Sequence, residues 1–319
     1  MLAMYQRDGH WNTVTDIDSL SDLCLDHNNL VWAEVDTNDI PDGLLPKLAE
    51  EFSLHELAVE DAVHARQRPK LERYPNHLFV VFQQLNEEDD QLEASQIACF
   101  IGDRWIFALH SGADRSLAEA RRRWNEDEME VTDGALSLLH TLLDVVVDDY
   151  QGVADRLEAT TEDLEEIALA TFNAPIQRQV YQVKQHLARL RRYALPASRV
   201  LDPLLDHVET ASDETRHYFR DISDHLSRIS EQVRQLDDLI QAVLDLVRGE
   251  QSNALNEVTK KLTSWAAIIA VPTFIASVYG MNLHLLPDGP DIINFYFVLG
   301  MMGGAAGWLY FVFKKKHWL

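Results

Sequence analysis

The chain has 319 residues, with 52 acidic side chains against 28 basic ones and a formal charge of −24. That length exceeds one ordinary domain, and that charge excludes the basic surface on which nucleic-acid phosphates bind, so no nucleic-acid partner is expected. Cys24 and Cys99 show neither a disulfide framework nor a metal-ligand spacing, and the first 25 residues carry acids in place of a signal peptide's apolar core.

Residues 1–132 read as a mixed α/β domain placed in the cytoplasm. Short apolar or alternating runs at 31–35, 78–85, 95–101 and 105–109 are expected strands. Helices are expected over 40–51 and 53–64, the second opened by a capping box of Ser53 and Glu56. Gly102-Asp103 between two strand-like runs predicts a tight hairpin. Asn86-Glu87-Glu88-Asp89-Asp90 is an acidic connection between strands, either a cation site or, more simply, a solvated turn.

Residues 133–211 switch to helical spacing and predict an antiparallel hairpin of acidic and basic helices. Phe172-Asn173-Ala174-Pro175 breaks the first helix, because proline opens a new helix more readily than it continues one. Pro196 and Pro203 mark kinks or the end of the second. The run of acids from Asp144 to Glu166 reads first as a solvated helix face and second as a concentrator of cations. A third helix starts near Ser212 or Asp213 and meets no proline before Pro272. Its cytoplasmic part is assigned to 212–261, and continued to Tyr279 it would run on the order of 100 Å.

Two uncharged runs follow. The first span covers 262–281, the connecting loop 282–291, the second span 292–313 and a basic tail 314–319. Each run is long enough as a helix to approach the hydrocarbon thickness of a bilayer. Lys260 and Lys261 precede the first, Lys314, Lys315, Lys316 and His317 follow the second, and the loop has Asp288 and Asp291 without a base. The excess of lysine on one side places both termini in the cytoplasm and the loop outside, as a multi-pass protein of the cell membrane.

Steps of four and three from Asp245 pass through Gly249, Ser252, Asn256, Thr259, Thr263, Ala266, Ala270, Thr273, Ser277 and Gly280, all small or polar. A period near 3.5 suits a helix that supercoils with copies of itself. The stripe reads as the lining of a water-filled path shared by several subunits, or as a close-packing face of small residues. Its oxygens are hard ligands, with neither thiolate nor imidazole among them, which suits Mg²⁺ over softer metals. No glycine loop of the nucleotide-binding kind and no catalytic constellation is present, so an enzyme is not expected.

Tyr279-Gly280-Met281-Asn282 is similar to the signature of the CorA family of divalent-cation channels, and Lys314-Lys315-Lys316-His317-Trp318-Leu319 resembles that family's carboxyl terminus. Asn253-Ala254-Leu255-Asn256-Glu257-Val258, the block from Tyr218 to His225, and Glu60-Asp61 with Arg68-Pro69-Lys70 resemble further family segments. The resemblance implies an α+β fold: a cytoplasmic αβα domain, a long stalk helix and two carboxyl-terminal transmembrane helices, assembled as a homopentameric funnel. It implies a selectivity filter of Tyr279, Gly280, Met281 and Asn282, the last holding hydrated Mg²⁺. It also implies a pore lined by Thr259, Thr263, Ala270, Thr273 and Ser277, a constriction at Leu262, and rings of Asn256 and Asp245 below. Asp221, with Glu88 and Asp89 of a neighbouring subunit, would hold a regulatory Mg²⁺ that closes the channel. Two departures stand out: the loop after Asn282 lacks the glutamate frequent in the family, and Ala270 stands where some members have methionine. The expected activity is Mg²⁺ uptake, with Co²⁺ or Ni²⁺ as further cargo and no organic cofactor. Zinc transport on the same fold, with or without coupling to protons, is the alternative, with Met281 favouring magnesium.

Overall fold

The structure is a computed structural model that describes residues 1–14, 19–64, 67–88, 91–112, 115–126, 133–170, 174–208, 212–281 and 291–319. In chain order the elements are β1 (Leu2–Arg7), β2 (His10–Thr13), α1 (Leu20–Leu25), β3 (Leu30–Asp36), α2 (Leu44–Glu51), α3 (Glu56–Val63), β4 (Lys70–Arg73), β5 (Leu78–Glu88), β6 (Gln91–Ile101), β7 (Trp105–His110), α4 (Arg115–Asn125), α5 (Gly134–Ala170), α6 (Ala174–Val208), α7 (Asp213–Tyr279) and α8 (Asp291–Lys315). The chain divides into two compact units, one of 1–167 with 174–242 and one of 168–173 with 243–319.

The first unit is built on a seven-stranded sheet of order β2-β1-β3-β7-β6-β5-β4. Every neighbouring pair is antiparallel except β3 and β7, which run parallel with Ala33 opposite Phe107. Alternation along the central strands sends buried side chains to both faces. On one face Val31, Val35, Phe79, Val81, Phe100 and Leu109 form a core with Leu20, Leu44, Leu48, Ala58 and Ala62 of α1, α2 and α3. On the other, Val80 and Phe82 meet Leu143, Val146 and Tyr150 of α5, Leu201 and Leu204 of α6, and Leu226 of α7. The result is the expected αβα layering, and each fully buried Leu, Val or Phe contributes roughly 1.5–3 kcal/mol.

A buried carboxylate on that second face has a half-buried partner. Glu34 of β3, whose side chain is only 7% exposed, is paired with Arg121 of α4 and accepts a hydrogen bond from Trp32 Nε1 at 3.1 Å. Trp32 in turn packs on Trp124 with ring centroids 4.6 Å apart.

Several local expectations change. Glu56 does not complete a capping box: Ser53 takes a left-handed φ of 50°, and the His55 ring accepts the Leu57 backbone N–H at 3.2 Å as the helix cap. The acidic connection is mostly strand, because Asn86, Glu87 and Glu88 pair with Glu93, Leu92 and Gln91. The side chains of Glu87 and Glu88 are not among those described, and Asp89 and Asp90 lie outside the described residues. Neither Pro196 nor Pro203 ends α6, which continues to Val208. Buried Leu190, Ala194, Ala197, Leu201 and Leu204 hold it down, so packing outweighs the backbone bonds the prolines remove. The hairpin at Gly102-Asp103 forms, and there a Cβ on Gly102 would fall 2.2 Å from the Trp105 ring, so only glycine fits.

Thr215, Phe219, Ile222, Leu226, Ile229, Val233, Leu236, Ile240, Val243 and Val247 form a buried stripe along the first half of α7. Contacts from α7 rise with residue number along α5 (Asp133 to Thr215, Gln151 to Gln232) and fall along α6 (Lys184 to Gln241, Arg191 to Asp237). The α5 and α6 helices are therefore antiparallel. Asp133 caps α7: it accepts hydrogen bonds from the Thr215 hydroxyl and the Ser212 backbone N–H, which hold its carboxyl below the usual range.

Candidate ion-conducting site

The buried stripe of α7 stops at Val247, and from Arg248 to Thr263 every residue of the helix is exposed. Beyond that point the helix has two unlike sides. Ser264, Ala267, Ile268, Pro272, Ile275, Val278 and Tyr279 are buried or half-buried, whereas Thr263, Ala266, Ala270, Thr273, Ser277 and Gly280 are exposed. At 100° per residue these sets lie on opposite sides of the helix. In α8 a matching row, Asn294, Val298, Met302, Ala305, Leu309 and Phe313, is half-buried at helical spacing. Both helices pass as membrane spans by length and composition, and neither has a buried interior of its own.

The small-residue stripe is thus left uncovered by the chain that carries it. Apolar Leu255, Val258, Leu262, Trp265 and Ile269 beside it are exposed too, Leu262 by 70%. In a soluble protein that surface would be a liability; in a bilayer lipid covers part of it and copies of the chain can cover the rest.

The hydroxyls on the stripe are specifically oriented. Thr259 Oγ1 donates to the Leu255 carbonyl at 2.9 Å and Thr273 Oγ1 to the Ile269 carbonyl at 2.8 Å. With the proton committed to the helix, each oxygen keeps its lone pairs for a donor outside, such as the water shell of a cation. Ser264 makes the same bond, to the Lys260 carbonyl at 2.8 Å, but on the covered side. Pro272 removes the helix donor for the Ile268 carbonyl one turn below it.

At the far end α7 closes at Tyr279, and Gly280 donates to the Ala276 carbonyl at 2.9 Å. A Cβ at Gly280 would lie 3.2 Å from that same oxygen, a tight approach that favours glycine. Met281 is 57% exposed, and Asn282 lies outside the described residues, as does the loop to 290.

At the near end Asn256 and Asp245 are exposed on the stripe. The structure places Arg248 3.3 Å from Asp245, a pairing readable from the i,i+3 spacing.

Asp221, lower on α7, is 65% exposed and 3.5 Å from His225. Behind it His140 of α5 is buried against the edges of Tyr218 and Phe219, each ring 5.5 Å away. Burial pushes the His140 pKa down to about 4, against the pull of Asp221 and with the help of Arg123, so the ring is neutral. Among the described residues no three His, Cys, Asp or Glu side chains converge on a metal site, and the side chains of Glu88 and Asp89 lie outside those described. The segment around Asp61 is structural. Lys70 binds Asp61 at 2.5 Å and Glu72 at 2.7 Å, and Gln67 binds Asp61 at 3.0 Å, tying α3 to β4.

A family model described as a CorA-like Mg2+ transporter protein matches residues 27–315. The cobalt/magnesium transport protein CorA of Thermotoga maritima is 30% identical over 96% of this chain and 88% of its own. The zinc transport protein ZntB of Photorhabdus laumondii is 23% identical over 79% of this chain and 77% of its own. Among solved structures, the CorA magnesium transporter of Methanocaldococcus jannaschii superposes with a TM-score of 0.83 at 18% identity, over 100% of this chain and 99% of that one. This last likeness establishes the fold: a mixed-sheet domain, a long helix and two membrane spans.

Proposed function

The chain belongs to the CorA family of divalent-cation transporters, which are membrane proteins and not enzymes, and from that membership we propose that it is a homopentameric Mg²⁺ uptake channel. The observation that carries the reading is the stripe on α7, from Asp245 through Thr259 and Thr273 to Gly280, exposed in the single chain along its whole length. Five copies around an axis would turn it into a path lined by hydroxyl and amide oxygen. Such ligands suit an ion that keeps its waters, because each replaces a water contact without stripping the shell.

In this reading both termini are cytoplasmic and the ion enters past Asn282, Met281 and Gly280. A neutral amide orders the hydration shell but releases it, as conduction requires. The ion then passes Ser277, Thr273, Ala270 and Thr263 to a constriction at Leu262, and leaves by Thr259, Asn256 and Asp245. The membrane potential supplies the drive: about 4.6 kcal/mol per divalent ion per 100 mV, roughly three decades of concentration. Asp221 of one subunit and Glu88 and Asp89 of the next hold cytoplasmic Mg²⁺, which screens their repulsion and favours the closed pentamer until the internal ion is depleted.

Zinc transport is the second reading, supported by the name of the Photorhabdus relative. Flux of Mg²⁺ and of Zn²⁺ into proteoliposomes, each with and without a pH gradient, separates the two. Mg²⁺ flux that follows the potential and ignores the pH gradient is expected; Zn²⁺ flux that needs the gradient, without Mg²⁺ flux, would replace magnesium by zinc.

A further inference from the structure

β5 and β6 have 11 residues each and outrun their neighbours in the sheet. β4 pairs with β5 from Leu78 to Val81, and β7 pairs with β6 from Ile97 to Ile101. Beyond those rungs the two strands continue as a ribbon, to the pair of Glu88 with Gln91. A two-stranded ribbon is barely stable by itself, so what it lies against decides where its end sits. At that end the sequence runs Glu87-Glu88-Asp89-Asp90, four like charges that repel one another.

Side chains from two helices close the open edges of this ribbon. Residues along an antiparallel strand alternate between bonding the partner strand and facing away from it. The Gln96 carbonyl faces away from β5, since it accepts the Ser111 N–H at 3.1 Å, and Gln83 stands opposite Gln96. The register therefore puts the Gln83 carbonyl on an outer edge, and a step of four residues does the same for the Leu92 carbonyl. Each has a donor: Gln83 takes the Tyr150 hydroxyl of α5, and Leu92 takes Arg189 Nη1 of α6. The Leu92 side chain is 2% exposed and shares a cleft between α5 and α6 with Val153, Leu157, Leu164, Val183 and His186. Leu92 is paired with Glu87, so the Arg189 bond lies one rung from Glu88.

We propose that Arg189 is a positioning residue for the internal Mg²⁺ sensor: its bond to Leu92, seated between α5 and α6, fixes the end of the ribbon that carries Glu88. The inference rests on the reading of Glu88, Asp89 and the neighbouring subunit's Asp221 as the ligands of that ion. A site shared between subunits binds only while its two halves are held within reach. Loosening the ribbon spreads one half over many positions and weakens the hold on the ion. Arg189 acts in this without touching the ion. Its positive charge by itself has the opposite effect, because a nearby base repels Mg²⁺. The sign of the change on removing Arg189 therefore separates positioning from charge.

The test uses full-length protein, in proteoliposomes for flux against internal Mg²⁺ and in detergent for hydrogen exchange of peptides covering 85–95. Arg189→Ala is expected to speed that exchange and to raise the internal Mg²⁺ needed for half-inhibition, each about fivefold, the factor of one hydrogen bond. Flux at vanishing internal Mg²⁺ and the thermal unfolding midpoint should stay as in the wild type. Leu92→Ala alters no charge and should move both readouts the same way. Arg189→Lys keeps a donor and should recover part of the change. Should the buried Leu92→Ala lower the midpoint, the two variants of exposed Arg189 still decide. Tighter inhibition in Arg189→Ala, exchange equal to the wild type, or faster exchange with inhibition unmoved would overturn the proposal. Asp221→Lys, measured beside it, locates the failure. If Asp221→Lys weakens inhibition and Arg189→Ala does not, the positioning role alone is wrong. If neither does, the sensor reading is wrong and the positioning role falls with it.

Discussion

Arg248 Nη1 lies 3.3 Å from Asp245 Oδ1, one helical turn along α7, so the acidic position at the inner end of the stripe carries its own counter-charge. Both side chains are more than half exposed, and the pair adds little to stability. Its effect is on the local potential. Arg248→Gln is expected to raise cation flux about two- to fivefold at low ionic strength, with the gain fading as salt screens the freed carboxylate. Flux measured against ionic strength in proteoliposomes checks it; a salt-independent change would separate Asp245 from the ion path.

Thr273 and Ser264 bond their own helix in the same way but on opposite sides. Thr273→Val keeps shape and loses the oxygen, and flux is expected to fall about tenfold, as for one lost hydrogen bond of ~1.4 kcal/mol. Ser264→Ala should leave permeation unchanged. Equal effects on flux from the two substitutions would return the stripe to a packing role.

Asp221 has an exposed carboxylate, 3.5 Å from His225. Asp221→Lys should raise the internal Mg²⁺ needed for half-inhibition at least about tenfold by replacing attraction with repulsion. An unaltered inhibition curve would remove Asp221 from the sensor.

Arg121 neutralises Glu34 where the sheet is buried. Arg121→Ala strands that carboxylate with only the Trp32 N–H and should cost about 3–5 kcal/mol of domain stability. Double substitution of Arg121 and Glu34 by Met should recover most of that loss, read from urea unfolding.

His140 is neutral in the folded state because burial holds its pKa near 4, while in the unfolded chain it titrates near 6.5. Between these values the unfolded chain binds the extra proton. Stability is therefore untouched by this group above about pH 6.5 and falls as pH drops from there toward 4. His140→Phe is expected to flatten that part of the stability curve, measured by thermal unfolding at pH 7 and pH 5.

The helical half and the spans were legible because their signal is long and periodic. The proline at 175, the Asp213 start and the uncharged runs correspond to α6, α7 and α8 as found. The central strands were legible as apolar runs bounded by turns. What escaped was short or masked by charge. β4 is Lys-Leu-Glu-Arg on the sheet edge. α4 carries three consecutive arginines that hide buried Leu117, Ala120 and Trp124. β1 and α1 are six residues each, too short for a period to emerge. At the site, the stripe on α7 could be read from spacing alone. The buried His140 behind Asp221 could not, because it comes from another helix, 81 positions earlier.

Because α7 is unbroken from Asp245 to Tyr279, every residue of the stripe has a fixed angular phase relative to Asp245. Adding a single residue between Asp245 and Asn256 would turn the upper part by about 100° and bring Val258 and Leu262 to the places of Thr259 and Thr263, whereas adding seven would nearly restore the setting. The helix thus transmits an angle as well as a length. The length of this element can therefore change only in steps that return the same face.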